Sequence, residues 1–342
     1  MKHSQTARIF CGMISFLVLS SFLGTRIYAA EGQRLKAAKK EAKVVLYTVM
    51  NVKDNEALKS TFEKKYPGIV VEGFRGGSGA VINKVLTEAR AGSLKADVIF
   101  AGGSEMQVFK KEGLLQKYVS PEAAAIPVGF KDPDGYWTNV HPLMLVTAFN
   151  TRLVTAADAP QTYEDLLKPQ WKGNMMMDRV EYDWFATLQK VWGRDRTIAF
   201  AKKLATQNIK FMTGHSAIAQ LVAAGEAMIG INMYAYRVSL LKQKGATIDW
   251  VALDPVVAIL ETVAVTSSAP HPNAARLLVD FMLAVDGQRL IRNFGRIPGR
   301  TDIQPRNEEL GKIKGYPTDT DSIYERGLEA FGKEYREIFG LQ

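Results

Sequence analysis

The chain of 342 residues has one cysteine, Cys11, and four histidines, and it lacks the local patterns that most catalytic families need. No serine sits in a nucleophile elbow, no helix carries a paired-histidine metalloprotease pattern, and no glycine-rich loop ends in Gly-Lys-Ser or Gly-Lys-Thr. No nucleophile and base can be paired. With a single cysteine, no intramolecular disulfide can form, so buried apolar surface must hold the fold together. After residue 30 no apolar run is long enough to span a bilayer, which needs about 20 residues. Basic residues are mixed with acidic ones along the chain, as between Lys59 and Lys65, so no nucleic-acid-binding stripe is formed.

What is present begins with an export leader. Lys2 and Arg8 precede an apolar run from Ile9 to Leu23, and the small-residue stretch Tyr28-Ala29-Ala30 follows. That order predicts a secretory signal peptide over 1–30, with the mature chain starting near Ala30 or Glu31. Cys11 lies inside the apolar run rather than after it, so it is not read as a lipid-anchored cysteine. Cleavage removes Lys2, Arg8 and Arg26, three charges of the formal +9, and leaves a surplus of +6 that reads as a solvated surface, with mild attraction of anionic solutes as the alternative. About 310 residues remain, room for about two domains.

From Ala42 onward, short β-branched runs alternate with stretches of helical period, the pattern of an α/β protein with parallel strands. Lys43–Tyr47 reads as the first strand. Asn55–Lys65 reads as a helix, because Leu58, Phe62 and Tyr66 recur at i, i+4 and i+8 before Pro67-Gly68. Ile69–Gly73 follows as a strand. Gly76-Gly77-Ser78-Gly79 leads into a helix, and the buried strand Asp97–Phe100 ends in Ala101-Gly102-Gly103-Ser104 before another. Small residues thus meet helix N-termini, whose free N–H groups suit a ligand.

Farther on, His141–Asn150 is strand-like, although Pro142 suggests that His141 lies in a loop. Pro160–Leu167 reads as a short helix capped by Thr162, with Asp165 at N3, and Trp171-Lys172-Gly173 as a turn. Asn174–Met177 is a strand and Tyr182–Trp192 a helix in which Trp184 and Phe185 face the core. His215-Ser216 opens the helix Ala217–Ala224, and Met228–Asn232 is a strand leading into Met233–Arg237. Ile248–Val251 and Val256–Thr266 are extended, and the remainder is mainly helical, including Ala274–Leu283 and Tyr324–Phe339. No flexible linker separates two halves, so the chain is expected to cross between lobes more than once.

This order of segments resembles the type II periplasmic solute-binding proteins of ABC importers, in the branch of the ferric-iron-binding proteins. The resemblance rests on Val44–Tyr47, Lys95–Phe100, Glu112-Gly113-Leu114-Leu115, Pro160–Leu167 with Trp171-Lys172-Gly173, Gln220–Glu226 and Gly295-Arg296-Ile297-Pro298. It implies a two-lobed α/β fold with two hinge strands and a solute held in the cleft. The expected division is 31–140 plus about 262–305 for lobe 1, and about 141–261 plus 306–342 for lobe 2. The resemblance further implies a periplasmic monomer without catalytic residues that hands its solute to a membrane permease. A secreted enzyme or a receptor-linked sensor on the same fold is the alternative.

Ferric binders of this branch resemble one another in using two adjacent tyrosines after the strand that corresponds to Met228–Asn232. Here Tyr234 matches the first, Ala235 replaces the second, and Tyr236 follows. Asn51 stands where many relatives carry a histidine, and Gly102 or Gly103 where some carry an acid. Tyr182 matches a further tyrosine ligand, so Tyr182, Tyr234 and Tyr236 form the candidate Fe3+ set if iron is the cargo. Otherwise the site reads as an organic or phosphate-type anion site built from Asn51, Ser78, Gly79, Gly103, Ser104, Arg179, Tyr182, His215, Ser216, Tyr234 and Tyr236. Arg179 and Arg237 suit an oxyanion clamp, whereas Asp178, Glu181 and Asp183 suit a cationic group or simply face water.

Overall fold

A computed structural model describes residues 32–342. The expected leader and Cys11 lie outside the described residues. Residues 32–41 form helix α1. Three strand-helix units follow: β1 (Lys43–Thr48), α2 (Val52–Lys65), β2 (Val70–Arg75), α3 (Ser78–Arg90), β3 (Val98–Gly102) and α4 (Gly103–Lys111). Strand β1 lies parallel to β2 on one side and to β3 on the other. The approach of β1 to β2 requires glycine at Gly73, where φ is +149° and an added Cβ would lie 1.8 Å from the Leu46 carbonyl oxygen.

The long strand β4 (Thr138–Asn150), buried along its whole length, carries the chain into a second half. There β5 (Met175–Asp178), α5 (Tyr182–Trp192), α6 (Arg194–Ala205), β6 (Lys210–Met212), α7 (His215–Ala224), β7 (Ile229–Tyr234), α8 (Ala235–Gln243) and β8 (Ile248–Val251) are assembled. Strand β9 (Val256–Val265) runs back, followed by α9 (Pro272–Leu283) and α10 (Val285–Asn293). The chain ends with α11 (Glu308–Gly311), β10 (Gly315–Pro317), α12 (Thr320–Arg326) and α13 (Leu328–Phe339).

The strand order β2-β1-β3-β9-β4-β7-β5-β6 explains the two lobes. Thr138 to Met144 of β4 pair antiparallel with β9, whereas Leu145 to Asn150 pair with β7 and β8. Strand β9 pairs with β3 through Glu261 to Val265 and with β10 through Val256 to Ala258. Both long strands therefore belong to both lobes and act as the hinge.

Each lobe buries apolar side chains on both sheet faces. In lobe 1, Phe62, Phe100 and Phe281 pack under α2 and α9, and Val85, Ile99 and Phe109 under α3 and α4. In lobe 2, Trp184, Phe185 and Tyr335 pack on one face, and Ile218, Val222 and Val238 on the other. Trp184 and Phe185 are fully buried, as the sequence predicts.

Three readings change. His141 is in β4 and 1% exposed, because β4 tolerates Pro142 and shelters the imidazole beside Arg296. The expected helix Tyr324–Phe339 is broken by Gly327, whose φ of +77° ends α12 before α13 begins. Pro160–Leu167 yields only a 3-10 turn at Glu164–Leu167, although the reciprocal cap is present: Thr162 Oγ1 accepts the Asp165 N–H at 3.2 Å, and Asp165 Oδ2 accepts the Thr162 N–H at 2.9 Å. Helix α12 also touches α4 of lobe 1, where the Gln107 amide bonds Asp321 and the Lys111 ammonium lies 5.6 Å from the Tyr324 ring centre. From lobe 2, Lys190 reaches Asp319 at 3.2 Å.

Candidate functional site

In an open α/β sheet, parallel strands end at a crevice where the following loops and helix N-termini collect. Lobe 1 brings the ends of β1, β2 and β3 to the seam between the lobes, and lobe 2 brings the ends of β5, β6 and β7. At the centre is an aromatic stack. The His215 ring lies 4.3 Å from the Tyr234 ring at 17°, and Tyr236 lies 6.2 Å beyond at 16°. The Arg296 guanidinium sits 4.8 Å over the Tyr236 ring and holds Asp54 at 2.9 Å.

Carboxylates surround this stack. His215 Nε2 is 3.0 Å from Glu181 Oε1, and Nδ1 is 3.5 Å from Asp178 Oδ2. Asp178 also accepts the N–H groups of Gly214 and Val180, which ties the β5 loop to the β6 loop. Ser104 Oγ of lobe 1 donates to Asp183 Oδ1 of lobe 2 at 2.8 Å, a bond across the seam. Burial pushes Glu181 up to about 7, with His215 opposing and Asp178 adding to the shift. Asp183 rises to about 6 by burial and by the facing Glu105, and Glu261 to about 7 by burial against the pull of Arg296. Burial pulls His215 down, but Glu181 and Asp178 outweigh it and raise the imidazole overall. Asp178 and Glu181 do not face water: they are 5% and 2% exposed.

Two cavities flank the stack. The first, of about 550 Å3, draws Asn51 and Lys53 from lobe 1 and Ser216, Tyr236, Arg237 and Lys244 from lobe 2, with Arg306 at its rim. Lys53, Arg237, Lys244 and Arg306 form no ion pair among the described residues, and Arg237 Nε is buried without an acceptor. The one carboxylate in the lining, Asp54, is already taken by Arg296. The second cavity, of about 350 Å3, is lined by Ser78, Gly79, Ser104, Glu105, Tyr182 and Asp183 together with apolar side chains.

The sequence-read residues thus divide. His215, Tyr234 and Tyr236 come together in the stack, Asn51, Ser216 and Tyr236 line the first cavity, and Ser78, Gly79, Ser104 and Tyr182 line the second. Asn51 also caps α2, accepting the Asp54 N–H at 3.0 Å. Gly103 packs against Thr320 and Leu260, with no room for a Cβ without displacement. Arg179 is exposed, anchored by its backbone N–H to Met212. Tyr182 is turned to α13, where its hydroxyl accepts from Arg336 at 2.9 Å and its ring meets Tyr335. Sequence reading missed Lys53, Lys244, Arg306, Glu105 and Glu261, which carry no local motif and meet only through folding. Among the described residues, no group of three or more histidine, cysteine and acidic side chains is arranged to hold a metal ion.

A family model described as bacterial extracellular solute-binding protein matches residues 57–318. The chain belongs to that family. Curated proteins similar to this chain include the Fe(3+)-binding periplasmic protein of Serratia marcescens, 23% identical over 270 residues that cover 75% of this chain and 78% of the relative. Among solved structures, iron-bound HitA from Pseudomonas aeruginosa superposes with a TM-score of 0.74 at 22% identity, covering 87% of this chain and 99% of HitA. AfuA from Actinobacillus pleuropneumoniae, with fructose-6-phosphate bound, gives a TM-score of 0.70 at 26% identity, covering 87% and 96%. These relatives confirm the two-lobed type II fold and the ferric-binder-like branch. They are solute-binding transport proteins rather than enzymes.

Proposed function

We propose that this solute-binding protein captures a small oxyanion-bearing organic solute, of phosphate-ester, phosphonate or carboxylate type, in the periplasm and delivers it as a monomer to an ABC permease. The unpaired basic lining of the 550 Å3 cavity is the observation that carries this reading. The volume falls within the roughly 300–1,000 Å3 usual for small-molecule sites. Lys53 belongs to one lobe and Arg237 and Lys244 to the other, so an anion between them favours closure over opening. In this reading residues 31–140 with about 262–305, and about 141–261 with 306–342, are the corresponding lobes.

Ferric iron is the competing cargo. Of its three candidate ligands, Tyr234 and Tyr236 stack together with ring centres 6.2 Å apart. Tyr182 is engaged by a cation, Arg336, away from the stack. Thermal unfolding of the mature protein with sugar monophosphates, inorganic phosphate, carboxylates and ferric citrate tests the reading. A saturating phosphate ester at 100 times its Kd should add about 2.7 kcal/mol, and Arg237→Ala with Lys244→Ala should abolish the shift. A shift with ferric citrate alone, accompanied by visible colour, would overturn it in favour of iron.

A further inference from the structure

Helix α8 lays one face along the basic cavity. Tyr236, Arg237, Leu240, Gln243 and Lys244 all line it, at the i, i+1, i+4, i+7 and i+8 positions that share one side of a helix. Arg237 stands in the first turn of α8 and Lys244 caps its last, so that at about 1.5 Å per residue the two cations leave the helix about 10 Å apart. Between them the lining of α8 is uncharged, and lobe 1 packs there: a Cβ on Gly295 would lie 3.0 Å from Leu240 Cδ2. Lys53, from the start of α2, and Arg306, just before α11, add two more positive charges. None of the four has an ion-pair partner among the described residues, and Arg237 Nε is buried without an acceptor. Asp54 cannot serve, because its Oδ2 already accepts from Arg296 Nη2 at 2.9 Å, Arg296 Nε at 3.2 Å and Asn51 Nδ2 at 2.6 Å. Lys242 of the same helix provides the contrast: it does not line the cavity, and it is paired with Asp249 at 2.9 Å.

Resting on the oxyanion reading of this cavity and narrowing it, we propose that the solute is a bis-anion, a polyol or sugar bisphosphate lying along α8 with one phosphate at Arg237 and the other at Lys244. A phosphate monoester carries about −1.5 to −2 charges at pH 7, so one such group leaves about half of the basic lining uncompensated and two match it. Arg237 presents a fork that suits a phosphate bidentately, and Lys244 a mobile point charge that accepts groups at a range of distances. Between the two ends, Ser216, Gln243 and Asn307 offer hydrogen-bonding groups to hydroxyls on the connecting carbons. Lys53 faces this arrangement from the other lobe, so a doubly charged solute gains more from closure than a singly charged one.

Titration calorimetry of the mature protein decides it, with linear polyol α,ω-bisphosphates of increasing chain length as one series and the matching monophosphates as the other. The expected result is that the best bisphosphate binds at least about tenfold tighter than its monophosphate, about 1.4 kcal/mol, with an optimum at intermediate length and a margin that shrinks as salt is added. Lys244 is exposed, so alanine there spares the fold, and Lys244→Ala should bring the ratio of the two affinities close to one. Lys242→Ala removes the same charge from α8 outside the cavity and should leave that ratio as it was. Monophosphates that bind as tightly as bisphosphates, or a ratio that survives Lys244→Ala or falls equally with Lys242→Ala, overturn the bis-anion and leave the oxyanion reading in place. Binding of neither series removes the oxyanion reading, and this inference with it.

Discussion

Asp183→Asn in the ligand-free protein isolates the electrostatic cost of the seam. Asp183 has an ordinary value of 3.8 and is raised to about 6, chiefly by burial and then by Glu105. At about 1.36 kcal/mol per pKa unit, the ionised carboxylate costs about 3 kcal/mol, and about 1–2 once its partial exposure is allowed for. The sign follows from linkage: the folded state holds the proton more tightly than the unfolded chain, so this contribution to stability is complete below about 4 and is lost as pH rises through about 6. Asparagine keeps an oxygen for the Ser104 hydroxyl and carries no charge. Scanning calorimetry at pH 8 should therefore find the variant more stable than the parent, at roughly 2–4 °C in Tm for each kcal/mol in a large chain, and the difference should fall to about half near pH 5 and close below about 4. A variant less stable at pH 8, or a difference that ignores pH, would refute the account of the seam.

Gly73→Ala should lower the urea midpoint sharply, by about 2 kcal/mol or more in stability, because the new methyl meets the Leu46 carbonyl and forces β1 from β2. Trp184→Ala should cost about 3–5 kcal/mol in the same assay, since the ring is fully buried and its Nε1 donates to the Tyr163 hydroxyl at 3.2 Å. Asp165→Ala removes the acceptor for the Gln161 and Thr162 N–H groups and should cost about 1 kcal/mol, with no effect on ligand affinity measured by calorimetry.

The fold was largely legible because its elements announce themselves locally. The period of Leu58, Phe62 and Tyr66 marks α2, and both Tyr182–Trp192 and Ile248–Val251 match the residues read from pattern. Misreadings arose where tertiary context overrides a local cue, as with His141 beside Pro142 in a strand whose neighbours bury it. The three-residue strands β6 and β10 are too short to show a period at all. For the site, glycine-serine turns and tyrosines pointed to the seam because helix starts and aromatics carry sequence signatures. Of the four cations of the basic cavity only Arg237, just after the tyrosines, was read as an oxyanion clamp, since Lys53, Lys244 and Arg306 are ordinary surface residues until the lobes meet. The charged faces were likewise misjudged: Asp178 and Glu181 look like solvated helix-start acids in sequence and become interior groups only when α7 closes over them.

Sharing β4 and β9 between the two halves has a consequence for dissecting the molecule. Cutting the chain into single-lobe fragments would strand a long apolar ribbon with half of its ladder unmade, an exposed edge prone to stick to copies of itself. Neither half should be recoverable alone as a well-behaved protein, and mixing separately produced halves should restore order only when both ribbons are intact.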